Sequence, residues 1–122
     1  MAYERHQLGV EGERAAERCV RRRGYTIVAR NYRCPLGEID LVALDRGTVV
    51  FIEVKTRHTA MTELALGAVD ARKQRQIVRA AEHYLITHRL EERAVRFDVV
   101  GVRRDGAALI CELVQDAFEP PR

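Results

Sequence analysis

The sequence predicts an α/β domain with a central mixed five-stranded sheet flanked by helices, in the order α-β-β-β-α-β-β. Three observations predict it. Residues 4–23 and 70–88 repeat their apolar side chains at helical spacing. Two strongly apolar runs, 38–44 and 49–56, meet around Asp45-Arg46-Gly47 as a hairpin. The second helical stretch separates the runs 49–56 and 95–102, so those strands are expected to be parallel neighbours joined by a right-handed crossover. A length of 122 residues fits one domain spanning 1–122.

Each element follows from its residues. In the first helix Ala15, Ala16, Cys19 and Val20 share one side, Arg21, Arg22 and Arg23 suit the negative end of the dipole, and Gly24 stops it. Tyr25 to Arg33 is β-rich, and Cys34-Pro35-Leu36-Gly37 reads as a turn. The connection 57–69 reads as a long loop, with a helical turn at Glu63 to Leu66 as the alternative. Asp70 can cap the second helix, where Ile77, Ala81, Tyr84 and Leu85 mark the buried stripe. Val95–Val102 and Ala107–Val114 pair around Arg104-Asp105-Gly106.

Composition excludes several classes. With 47% apolar and 32% charged residues the chain is ordinary globular material, neither disordered nor fibrous. No apolar run approaches the ~18 residues of a membrane span, and the first residues lack a signal-peptide core, so a cytoplasmic location is expected. Cys19, Cys34 and Cys111 are far apart in sequence without Cys-x-x-Cys spacing, as expected of reduced thiols packing as small hydrophobes. His6, His58, His83 and His88 show no zinc-ligand pattern and read as lone surface histidines. Seven Phe and Tyr residues without a cluster, and no Trp, disfavour a base-stacking platform.

Charge is segregated along the chain. Residues 1–33 carry a net +4, 34–70 a net −3, 71–96 a net +4 and 97–122 a net −2, within a total of +3. Basic stretches flanking an acidic centre suit a protein that holds a polyanion by its backbone while central carboxylates hold a cation.

The informative text is Gly37-Glu38-Ile39-Asp40-Leu41-Val42 and Val50-Phe51-Ile52-Glu53-Val54-Lys55. If Asp45 faces Thr48 across a two-residue loop, Asp40 falls opposite Glu53 and Glu38 opposite Lys55 on one sheet face. Lys55 then stands about 7 Å beyond Glu53 on that face. Two carboxylates between apolar neighbours call for a compensating cation, and oxygen ligands without His or Cys favour a hard ion, Mg²⁺ or Mn²⁺. Such a site with a lysine beside it suits phosphodiester hydrolysis. Lys55 and Lys73 are the two lysines among 21 basic residues, which suggests a role for a tunable ammonium. The plainer reading is a Glu38–Lys55 surface ion pair worth about 0–1 kcal/mol. Glu13 lies about 20° from Val20 on the helical wheel, at the border of the buried stripe, and is a further ligand candidate. Lys73 and Gln74 share a face with Ile77 and point towards the sheet, a place to meet phosphate.

At these residues the chain resembles the YraN family of small bacterial proteins. The resemblance runs through Gly12-Glu13, Gly24-Tyr25, Arg30-Asn31-Tyr32-Arg33, Gly37-Glu38-Ile39-Asp40, Phe51 to Arg57, Ala68-Val69-Asp70 with Lys73, and Arg96-Phe97-Asp98-Val99. It implies a restriction-endonuclease-like three-layer fold, shared with Holliday-junction-resolvase-like nucleases. The superfamily's Asp…(Asp/Glu)-x-Lys site falls on Asp40, Glu53 and Lys55, with Glu13 in the place of a first-helix glutamate. Ile39 stands where the superfamily has proline, which carries no ligand atom, and His58 to Leu66 lacks the expected Gly and Pro punctuation.

The expectation is a Mg²⁺- or Mn²⁺-dependent nuclease acting on structured or branched DNA. The ion is expected on Asp40, Glu53 and the Val54 carbonyl, with Glu13 as a further ligand candidate. Arg21, Arg22, Arg23, Arg57, Arg72, Lys73, Gln74 and Arg75 are the expected nucleic-acid contacts, and a homodimer is one way to present two sites to two strands. The alternative is a non-catalytic nucleic-acid-binding or assembly adaptor on the same scaffold.

Overall fold

The computed structural model describes residues 2–57 and 69–119. In chain order these form α1 (Ala2–Arg22), β1 (Thr26–Cys34), β2 (Gly37–Asp45), β3 (Thr48–Arg57), α2 (Ala71–Thr87), β4 (Val95–Asp105) and β5 (Ala108–Val114). The loop expected at 57–69 falls mostly on 58–68, outside the described residues.

Local chemistry explains the boundaries. At the end of α1 the Tyr25 N–H donates to the Val20 carbonyl at 3.0 Å, while Gly24 takes φ +93°, the left-handed stop that glycine supplies without strain. Arg46 and Gly47 both have positive φ and join Asp45 to its partner Thr48, as a two-residue hairpin turn requires. Asp70 caps α2 by accepting the Lys73 N–H at 2.8 Å.

The sheet order is β1-β2-β3-β4-β5. Its one parallel pair is β3 with β4, joined through α2, and the other neighbours are antiparallel. This is the expected mixed sheet and element order.

Two apolar cores make three layers. Under α1, Ala15, Ala16 and Val20 pack on Leu41, Ala43, Val50, Ile52, Val100 and Val102. Under α2, Ile77, Ala80, Ala81 and Tyr84 pack on Ile39, Val42, Val49, Phe51 and Phe97. The aromatics that are scattered in sequence meet in this second core: Tyr84 lies edge-on to Tyr32 and to Phe51, and Phe97 stacks on Phe51 and Phe118. They serve as packing, not as an exposed platform. His83 and His88 also differ from lone surface residues, since His83 hydrogen-bonds the Tyr32 hydroxyl and His88 stacks on Tyr84 at 4.0 Å. The three cysteines are free and half-buried, less enclosed than core hydrophobes.

A polar network closes the sheet near the Asp45–Thr48 turn. Asp98 is fully buried and is held bidentately by Arg96, through Nε and Nη2 at 2.9 Å each. The Tyr25 hydroxyl donates to Asp98 at 2.6 Å, the Asp116 N–H donates at 2.9 Å, and Arg96 also reaches Asp45 at 3.0 Å. Every buried side-chain polar atom among the described residues has a partner, which is the condition for an ion pair to survive burial. Burial pushes the Tyr25 hydroxyl up to about 12, with Asp98 beside it adding to the shift. Among the described residues no helix is long and apolar enough to cross a membrane.

Candidate metal centre

The site begins with a break in strand alternation. Leu41 and Ala43 belong to the α1-side core, yet Ile39 belongs to the α2-side core, so the pleat switches face across Asp40. On β1 the matching position is Asn31, whose φ of +48° is left-handed. The pairing of β1 with β2 runs Arg30 with Leu41, then Tyr32 with Ile39, straddling Asn31 and Asp40. The pairing of β2 with β3 ends at Leu41 and Ile52.

The hairpin register is the expected one, but the ladder opens one step before Asp40 would face Glu53. Asp40 uses the opening. Its carboxylate accepts the Val54 main-chain N–H at 2.8 Å, replacing a ladder acceptor. This also separates Glu38 from Lys55: Glu38 is exposed and pairs with Arg33 at 3.2 Å, so the expected Glu38–Lys55 pairing is not formed.

Glu53 is 6% exposed and within hydrogen-bonding reach of Asp40. Two ammonium groups approach the same Glu53 oxygen, Lys55 Nζ from the same strand at 3.6 Å and Lys73 Nζ from the first turn of α2 at 3.7 Å. Burial, reinforced by the neighbouring Asp40 charge, pushes the Glu53 carboxyl up to about 7 despite both lysines. Burial likewise raises Asp40, against the Val54 N–H and the proton that Glu53 offers it. Burial thus favours the protonated form at both carboxyls, and the Asp40 charge adds to the effect at Glu53.

The structure thus brings together Asp40, Glu53, Lys55 and Lys73. Lys73, an expected phosphate contact, stands against the dyad, on the face of α2 that turns to the sheet. Gln74 donates its side-chain amide to the Val69 carbonyl at 3.0 Å and so helps fix the start of α2. Arg72 and Arg75 are exposed on that first turn. Arg57 ends β3 in register with Arg103.

Arg21, Arg22 and Arg23 lie elsewhere. They are exposed at the end of α1, the helix that covers the opposite sheet face, and Arg23 shares a cavity wall with Asp45 and Arg96. Glu13 is half-buried on α1, next to Gly12, where the helix backbone closes on Thr56 of β3. Among the described residues no three His, Cys, Asp or Glu side chains converge on one point, so Glu13 does not form a close triad with Asp40 and Glu53.

The donor set fits a hard divalent ion. Two mutually repulsive carboxylates, Glu53 buried and Asp40 half-buried, would supply oxygen ligands and leave positions for main-chain, water and substrate oxygens, as Mg²⁺ prefers.

Comparison with known proteins agrees with the family resemblance. The model of the Uncharacterised protein family UPF0102 matches residues 12–102. A UPF0102 protein of Desulfosudis oleivorans is 45% identical over 98% of this chain and 95% of its own length. One from Syntrophotalea carbinolica is 44% identical over 98% of this chain and 97% of its own, and one from Moorella thermoacetica is 42% identical over 97% and 100%. Gly12, Asp40, Glu53, Lys55 and Lys73 all fall inside the matched span, and the chain belongs to the UPF0102, or YraN, family.

Proposed function

We propose that this protein is a metal-dependent phosphodiesterase acting on nucleic acid, with structured or branched DNA as its substrate class. The observation that carries the reading is the Asp40–Glu53 dyad, half-buried Asp40 and buried Glu53 at the opening between β2 and β3, with Lys55 and Lys73 on its rim. Asp40, Glu53 and the Val54 carbonyl would hold Mg²⁺ or Mn²⁺. A bound ion would supply Lewis acidity at a phosphoryl oxygen and lower the pKa of water.

The chain's own residues do the rest. Val54 N–H fixes one Asp40 oxygen and leaves the carboxylate oriented towards the opening. The Lys55 ammonium orients the attacking water and offsets charge developing on the phosphate. Lys73 would hold a non-bridging phosphate oxygen, and Arg72 and Arg75 beside it would contact the adjoining backbone. Arg21, Arg22 and Arg23 meet a more distant stretch of the polyanion.

Lys55 and Lys73 together formally neutralise the dyad, and this favours a second reading, a nucleic-acid-binding adaptor without catalysis. Calorimetric titration with Mn²⁺, wild type against Asp40→Asn, combined with cleavage assays on duplex, flap, junction and RNA substrates, decides between them. Stoichiometric Mn²⁺ binding lost in Asp40→Asn, with cleavage above the Asp40→Ala background, is the expected result. Salt-dependent binding that persists with chelator and in Glu53→Ala, without cleavage, selects the adaptor.

A further inference from the structure

A second group of reactive side chains occupies the sheet face opposite the dyad. Where α1 packs on the edge strand β5, Cys19 and Cys111 line one cavity of about 340 Å³. Ninety-two positions apart in sequence, the two half-buried thiols lie within hydrogen-bonding reach of each other. Leu113 supplies apolar wall, and the exposed Arg18, Arg22 and Arg23 complete the lining.

We propose that Cys19 and Cys111 are a redox-active dithiol that closes to an intrachain disulfide by exchange with an anionic small-molecule disulfide. This assignment is independent of the phosphodiesterase reading. Thiol–disulfide exchange needs an accessible thiolate, a second thiol close behind it and a route for the oxidant. The cavity provides the second and third, because three guanidinium groups attract an anionic disulfide to the mouth where both sulfurs stand.

The two thiols take different parts. Burial holds the Cys111 thiol up to about 11, against the pull of Arg18 and Arg22, so Cys111 keeps its proton and entry falls to Cys19. The Cys19 thiolate attacks one sulfur of the oxidant, forming a mixed disulfide and expelling one small thiolate. Cys111 then loses its proton to solvent and attacks the Cys19 sulfur, expelling the second small thiolate. The sum is two protein thiols and one small disulfide giving one protein disulfide and two small thiols. The new bond ties α1 to the edge of the sheet. Cys34 stands apart in the β1–β2 turn, its thiol directed to the Gly37 carbonyl at 3.5 Å.

The test treats the folded, reduced full chain with oxidised glutathione and maps the product by mass spectrometry. The expected product is monomeric, lighter by two hydrogens, with a Cys19 peptide joined to a Cys111 peptide and a higher thermal unfolding midpoint than the reduced protein. Cys111→Ser should stop at glutathione on Cys19. Uncharged hydroxyethyl disulfide should react several-fold more slowly at low salt, a difference that high salt removes. Folded wild-type protein that carries glutathione without the Cys19–Cys111 link, or forms the link only in denaturant, overturns the proposal. Equal rates for charged and uncharged oxidants overturn the arginine-guided part.

Discussion

Asp40 accepts the main-chain N–H of Val54 across the point where β2 and β3 cease to pair. A side chain thus stands in for a strand, and the same carboxylate serves both fold and candidate site. Replacement by Asn keeps an acceptor, whereas Ala removes it. Asp40→Ala is therefore expected to be less stable than Asp40→Asn by about 1 kcal/mol, while both lose Mn²⁺ binding. Urea denaturation of the two variants, beside calorimetry, separates these effects.

The Glu53 carboxyl gives a pH dependence with a definite sign. Its folded value of about 7 lies above the ordinary 4.5, so between those values the native state binds more protons than the unfolded chain. Its contribution to stability is fully present below 4.5 and is lost as pH rises towards 7. Glu53→Gln removes this dependence. The stability of Glu53→Gln relative to wild type should thus increase from pH 4.5 to 7.5, as measured by urea titration at each pH. Carbon-13 NMR of the Glu53 carboxyl should show a midpoint near 7.

The Arg96–Asp98 pair belongs to the stability of the fold. Removing one partner strands the other in a buried setting, and Arg96→Met is expected to cost about 3–5 kcal/mol. Tyr25→Phe deletes a single hydroxyl that donates to Asp98 and accepts from Gln115, with an expected cost of about 1–2 kcal/mol. Equilibrium denaturation of both variants checks the ranking.

Gly12 is a contact glycine. A Cβ built there would lie 2.5 Å from Thr56 Oγ1 and 3.1 Å from Thr56 Cγ2, so the Thr56 side chain, the helix or the strand must shift to admit it. Gly12→Ala is expected to destabilise by about 1–3 kcal/mol. In a Thr56→Ala background the cost should shrink, and a double-mutant cycle measures the coupling.

Most of the architecture was legible because strong local signals marked it. Gly24, Asp45-Arg46-Gly47 and Asp70 announced a stop, a turn and a cap, and apolar runs flanking a helical stretch dictated the parallel pair. The hairpin register was readable from Asp45 and Thr48. What strict alternation could not show was the switch at Asp40, which arises jointly from left-handed Asn31 on one neighbour and lost pairing on the other. Lys73 was placed on the sheetward face, but its approach to Glu53 depends on how closely α2 sits. The Cys19–Cys111 proximity depends on α1 packing across β5, a relation between distant segments that carries no local spacing signal.

The network around Asp98 also sets a timetable for synthesis. Its partners range from Tyr25 to the Asp116 amide, so the full complement of bonds forms only after residue 116 has left the ribosome. Until then Asp98 lacks one of its main-chain donors.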